Sequence, residues 1–143
     1  MSAHKMIAIL FSLFLIGISG TVCAQTFSSL PESERNAKLI EVAKYVYKNP
    51  QWQNFYREYG TPEIESFVRE GVGRENDPRS KKGPDLGSLI YVVIFRYDKT
   101  KESMDWDYAA KVYISDKGGF AYGIALGNGM ILDTYEMNKN PVR

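Results

Sequence analysis

The spacing of apolar residues changes along this chain, and each spacing predicts a different element. Residues 6–18 are apolar throughout except for Ser12 and Gly17. Farther on, Leu39, Ile40, Val42, Ala43, Val46 and Tyr47 recur at three- and four-residue spacing, with Lys38, Glu41, Lys44 and Lys48 between them. That stripe predicts an amphipathic helix over 32–48. Ser29-Leu30-Pro31 opens it, Glu32 and Glu34 sit at the positive end of its dipole, and Asn49-Pro50 stops it. Trp52, Phe55, Tyr56 and Tyr59 predict a short second helix over 51–58, ended by Gly60. Thr61-Pro62-Glu63 repeats the start signal, and Ile64, Phe67 and Val68 predict a further short helix closed by Gly71.

After a polar, mixed-charge connection at 73–87, the texture becomes that of strands. Residues 89–95 form a continuous apolar and β-branched run that fits a central strand. Tyr108, Ala110, Val112 and Ile114 alternate with Asp107, Lys111 and Ser115, the period-two pattern of a half-buried strand. Lys117-Gly118-Gly119 predicts a hairpin turn and Phe120, Tyr122, Ile124 and Leu126 a third strand. Gly127-Asn128-Gly129 turns the chain again, and 130–135 is a fourth strand. The expected fold is α+β, with N-terminal helices packed on one face of a curved four-stranded antiparallel meander. The domain is expected to span 25–137, with 25–29 as a flexible leader and 138–143 as a frayed tail. Ala121, Gly123 and Ala125 put no bulk on one side of the third strand, which points to a packed helix or a bulge ahead of a ligand. The 130–135 strand is an open edge guarded only by Asp133 and Glu136, which suits a homodimer formed by strand pairing.

The apolar run at 6–18 has a different destiny. His4 and Lys5 precede it, small residues follow at Ser19, Gly20 and Thr21, and Val22-Cys23-Ala24 supplies a cleavage site. These are the three parts of a secretory signal peptide, and the run is too short for the roughly 20 residues that span a bilayer. The expected product is periplasmic or secreted, released by cleavage after Ala24. A lipoprotein acylated on Cys23 is the rival, but Gly20 and Val22 fit poorly the leucine-like and small residues which that processing prefers.

Export changes the available chemistry. His4 and Cys23 are the only histidine and the only cysteine, so cleavage after Ala24 removes both residue types. Of 143 residues 119 remain, enough for one domain, and with Lys5 gone they hold 17 basic and 17 acidic side chains. That balance gives no footprint for nucleic acid or an anionic membrane. Without His or Cys there is no Ser-His-Asp or Cys-His constellation and no conventional zinc site, and no cofactor is expected. Ser80-Lys81 and Ser103 near Lys101 lie in polar loops that would not desolvate a lysine base. Asp98, Glu102, Asp105 and Asp107 are diluted by Lys99 and Lys101 and lack calcium-loop spacing. Asp105-Trp106-Asp107 sets an aromatic ring between two acids, as glycan hydrolysis uses. On an extended chain those acids stand about 6.5–7 Å apart on one face, with nothing to split their pKa values.

Three functions follow, in order. The first is a small, non-catalytic binding protein of the cell envelope, an inhibitor or immunity protein against an envelope-acting enzyme. Ten tyrosines and two tryptophans exceed the needs of a core this size and suit a recognition surface. The expected contacts are Asp105, Trp106, Asp107 and Tyr108, together with the basic run Arg79, Lys81 and Lys82. The second is a small-ligand carrier. The element order is similar to that of cystatin-like, cone-shaped folds, in which Tyr91, Tyr97, Tyr113, Tyr122 and Gly123 would line a cavity between helix and sheet. The third is a carboxylate glycan hydrolase built on Asp105 and Asp107.

Overall fold

A computed structural model describes residues 26–70 and 83–134. A 3₁₀ turn at Phe27–Ser29 leads into helix α1 at Glu32–Tyr47, and a second 3₁₀ turn follows at Pro50–Phe55. Five strands come next: β1 Tyr59–Val68, β2 Leu89–Arg96, β3 Ala110–Ser115, β4 Ala121–Leu126 and β5 Ile131–Asp133. They pair antiparallel in chain order, β1-β2-β3-β4-β5. The chain is therefore α+β, with one helix packed against a five-stranded antiparallel sheet. Among the described residues no helix is long and apolar enough to cross a membrane.

The stripe on α1 does what its spacing predicts. Leu39, Ala43, Val46 and Tyr47 are buried against Val93 and Phe95 of β2, Val112 and Ile114 of β3, and Ile124 and Leu126 of β4. Each large aliphatic side chain so buried stabilises the fold by roughly 1.5–3 kcal/mol. Tyr47 lies among these residues and satisfies its hydroxyl by donating to the carbonyl of Phe55, while burial pushes its pKa up. The other face of the sheet is also covered. Ile90, Val92, Ile94, Tyr113, Tyr122 and Ala125 form a second buried cluster, with Phe67 and Phe120 at its margin. The Arg69 guanidinium stands 5.4 Å from the Tyr122 ring and donates to the carbonyl of Pro84.

Three expectations need correction. The segment read as a third helix is β1, and 51–58 holds only the 3₁₀ turn, so among the described residues one α-helix packs on a sheet of five strands rather than several helices on four. The reason lies in β2. Its backbone needs a ladder on both sides, and 63–68 supplies one through six consecutive register pairs from Glu63↔Ile94 to Val68↔Leu89. Pro62, which gave the helix signal, falls where the register shifts between Tyr59 and Glu63, so its missing N–H costs the ladder little. Tertiary pairing overrides a local start signal there.

β4 shows why its small residues alternate oddly. Tyr113 pairs with Gly123 and Ile114 with Ala121, which leaves Tyr122 as the extra residue of a bulge. Ala121 consequently faces α1, whereas Gly123 and Ala125 share the opposite face with Tyr113 and Lys111. The three small residues do not form one groove.

The leader is the third correction, for 26–29 is anchored. Asp116, at the β3–β4 turn, accepts from the Ser28 N–H (2.6 Å) and the Ser28 hydroxyl (2.8 Å), and its carbonyl accepts from the Phe27 N–H (3.2 Å). Phe27 is buried edge-on to Tyr91, where a Cβ on Gly119 would meet its ring at 2.6 Å. Sequence reading sees Thr-Phe-Ser-Ser as polar and loose, because the acceptor lies 88 residues away. Asp116→Ala is expected to leave the Ser28 amide without its acceptor and lower stability by about 1–3 kcal/mol. Urea unfolding checks this, with a lower midpoint at unchanged slope; Ser28→Ala, which keeps the amide bond, should cost less.

Candidate recognition corner and its charged cleft

The connection from β2 to β3, residues 97–109, is fixed by hydrogen bonds rather than by regular structure. Tyr97 is buried in the α1-facing core and its hydroxyl reaches up into the loop, donating to the Trp106 carbonyl (3.0 Å) and accepting from the Met104 N–H (3.2 Å). The Trp106 N–H donates to the Gly127 carbonyl (3.1 Å), and the Gly127 N–H donates to the Ala109 carbonyl (2.9 Å). Only glycine fits at 127: an added Cβ would lie 2.5 Å from the Tyr108 carbonyl oxygen and collide with the Met104 sulfur. The loop therefore rides on the β4–β5 turn as a rigid shelf.

On that shelf the Trp106 side chain is 51% exposed, although its backbone is held from both sides. Its ring stacks on Tyr108 at 6.2 Å between centroids and 19° between planes. Tyr108 is buried, which raises its pKa, and the Lys111 ammonium stands 4.8 Å from its ring. Met130 and Ile131 are also exposed, and Gly129 beside them sits close enough that a Cβ would be 3.2 Å from the Trp106 indole nitrogen. The exposed indole thus stands against the β4–β5 turn, which leads into the exposed Met130 and Ile131, and Asp105 next to Trp106 in the chain is exposed as well. Asp105 to Tyr108 are adjacent in the chain, whereas nothing in the pattern signals that the turn at Gly129 comes up against Trp106.

Asp107 turns the other way, to Arg96. Arg96 Nη1 donates to the Asp107 carboxylate (2.9 Å) and carbonyl (3.2 Å), while Nε and Nη2 grip Glu63 of β1 at 2.9 and 2.7 Å. The guanidinium holds Glu63 below the usual carboxylate range, and these bonds raise the pKa of Arg96 in turn. Arg96 and Glu63 were not among the sequence-predicted contacts. The signal was present, since Arg96 is the one charge in the apolar run 89–97, whereas Glu63 was hidden by the helical reading of its segment. A second brace joins Arg57 to Glu102 (Nη2 to Oε2, 2.7 Å), again lowering the carboxylate's pKa.

The other predicted residues do not converge. Tyr91 lies in the α1-facing cluster with Tyr97, whereas Tyr113, Tyr122 and Gly123 lie on the opposite side of the sheet. The space between α1 and the sheet is filled by Leu39, Ala43, Val46 and Tyr47. Arg79, Lys81 and Lys82 lie outside the described residues. Nor do the four acids meet: Asp98 accepts from the Thr100 N–H and hydroxyl, Glu102 faces Arg57, and Asp107 faces Arg96. Among the described residues no three His, Cys, Asp or Glu side chains are placed to hold a metal ion. Glu63, held ionised on Arg96, can accept hydrogen bonds but is a poor proton donor.

The depressed carboxylates make stability depend on acid in one direction. Glu63 and Glu102 hold protons less tightly folded than unfolded, so the unfolded chain gains protons first as pH falls. Their contribution is complete above the unfolded value of 4.5 and is lost as pH drops through the lowered folded values. Thermal melts are expected to be flat from neutrality to about pH 5 and to fall below it. Glu63→Gln should reduce that acid-dependent fall.

No family model, curated protein or solved structure matches this chain.

Proposed function

We propose that the chain is an exported, non-catalytic binding protein of the cell envelope that inhibits, or gives immunity against, an envelope-acting enzyme. It docks through the 105–108 corner. The observation that carries this reading is Trp106, a half-exposed indole on a backbone locked by Tyr97 and Gly127. Exposing a large aromatic costs free energy, and interfaces concentrate their energy in such rings when the free protein already holds them in place. Met130 and Ile131 extend the apolar contact, while Asp105, Asp107 and Lys111 supply a polar rim. The basic run Arg79, Lys81 and Lys82 is assigned to the same partner as a steering charge.

Export rests on the signal-peptide pattern of 1–24, with cleavage after Ala24 preferred to acylation of Cys23. The loss of His4 and Cys23 on cleavage supports a role without nucleophilic or metal chemistry. Capture of the exported chain with envelope extract, read by mass spectrometry of intact complexes, is expected to return a stoichiometric enzyme whose activity falls on binding. Trp106→Ala should weaken that complex about thirtyfold or more, the loss of one hot-spot ring, without lowering the melting temperature. An unchanged affinity in Trp106→Ala, or the absence of any captured enzyme, contradicts the reading.

A further inference from the structure

Beside the Trp106 corner lies a separate open cleft of ≈ 330 Å³, and its chemistry differs from the corner's. Arg96 lies in it with Glu63 and Asp107 attached to its two edges. Asp98 and Thr100, hydrogen-bonded to each other, line a further part of the wall, and Tyr59, 53% exposed, lines it too. The volume is at the lower end of the roughly 300–1,000 Å³ that small-molecule sites occupy.

The charges of this cleft nearly balance, with three carboxylates against two cations in the lining and a third cation just outside it. Glu63, Asp98 and Asp107 are set against Arg96 and Lys99 within the lining, and Lys101 pairs with Asp98 at 3.7 Å. An anion meets three carboxylates, and a cation meets a guanidinium whose carboxylates are already engaged. The remaining capacity is that of hydrogen bonding: each ionised carboxylate has about four acceptor positions, of which Arg96 occupies only part. Those acceptors are fixed in direction before any ligand arrives, because the bidentate grip on Glu63 and the bond to Asp107 orient them. Oriented acceptors whose charge is almost balanced, next to an exposed tyrosine, fit a molecule with vicinal hydroxyls and an apolar C–H face.

We infer that the cleft formed by Tyr59, Glu63, Arg96, Thr100 and Asp107 binds a neutral saccharide, with hydroxyls on the carboxylates and a ring face on Tyr59. This does not rest on the protein-partner reading, and the two sites share only Asp107. Binding is weak, as an open cleft buries little of its ligand.

The test is a titration of the isotope-labelled exported chain with glucose, N-acetylglucosamine, maltotriose and chitotriose, followed by amide chemical shifts. Saturable shifts centred on Tyr59, Arg96 and Thr100 are expected with at least one of these sugars. Tyr59→Ala should weaken that binding about tenfold and Tyr59→Phe far less, each with otherwise native spectra, since the ring face rather than the hydroxyl makes the contact. Trp106→Ala should leave sugar affinity unchanged, so this site and the protein-docking corner fail separately. Three results overturn the inference: no shift at these residues with any of the sugars at millimolar concentration, sugar binding that Tyr59→Ala does not weaken, or a stronger response there to a lysine-rich peptide.

Discussion

The fold hangs on β2. Ile90 to Phe95 are all buried, their side chains point alternately into the α1-facing core and the opposite cluster, and the backbone is paired on both sides. A strand apolar on both faces cannot be satisfied by one helix and one neighbour. It requires a second ladder, which recruits β1, and a cover on each face, which recruits α1 on one side and Arg69 with Phe67 on the other. Where the apolar run ends, Arg96 emerges and collects one acid from β1 and another from the following loop. Tyr97, one residue on, anchors the loop that carries Trp106. Both the Trp106 corner and the charged cleft are therefore consequences of how this strand terminates.

How much of this could be read in advance follows from the range of the interactions. The helix stripe from Leu39 to Tyr47 and the alternation in β3 are local periodicities, and both elements form where the spacing puts them. The apolar run of β2 announces a central strand by composition alone. β1 was illegible because Thr61-Pro62-Glu63 satisfies a helix start locally, while the decisive partners lie 21 to 37 positions away in Leu89 to Arg96. The anchored leader was missed for the same reason, since Ser28 gains its order from Asp116.

The corner shows the same division. Asp105, Trp106, Asp107 and Tyr108 are adjacent in sequence, so their grouping needed no fold. Their separate orientations did: Trp106 turns outward over Tyr108, and Asp107 turns to Arg96. The small residues of β4 likewise change meaning once the bulge at Tyr122 splits Ala121 from Gly123 and Ala125. Gly127 is demanded by the packing of Tyr108 and Met104 against the turn rather than by the turn itself. A glycine chosen for close approach looks, in sequence, the same as one chosen for a hairpin.

The proposed docking role of Trp106 requires a shelf that is already rigid in the free chain. Native-state hydrogen exchange of the free chain, residues 25–143, tests it most directly. The Trp106, Ala109 and Gly127 amides all donate to backbone carbonyls across the shelf, so they are expected to exchange as slowly as those of β3. Fast exchange at all three, at the rate of an open loop, would contradict a pre-formed anchor and leave Trp106 an exposed ring on a flexible connection.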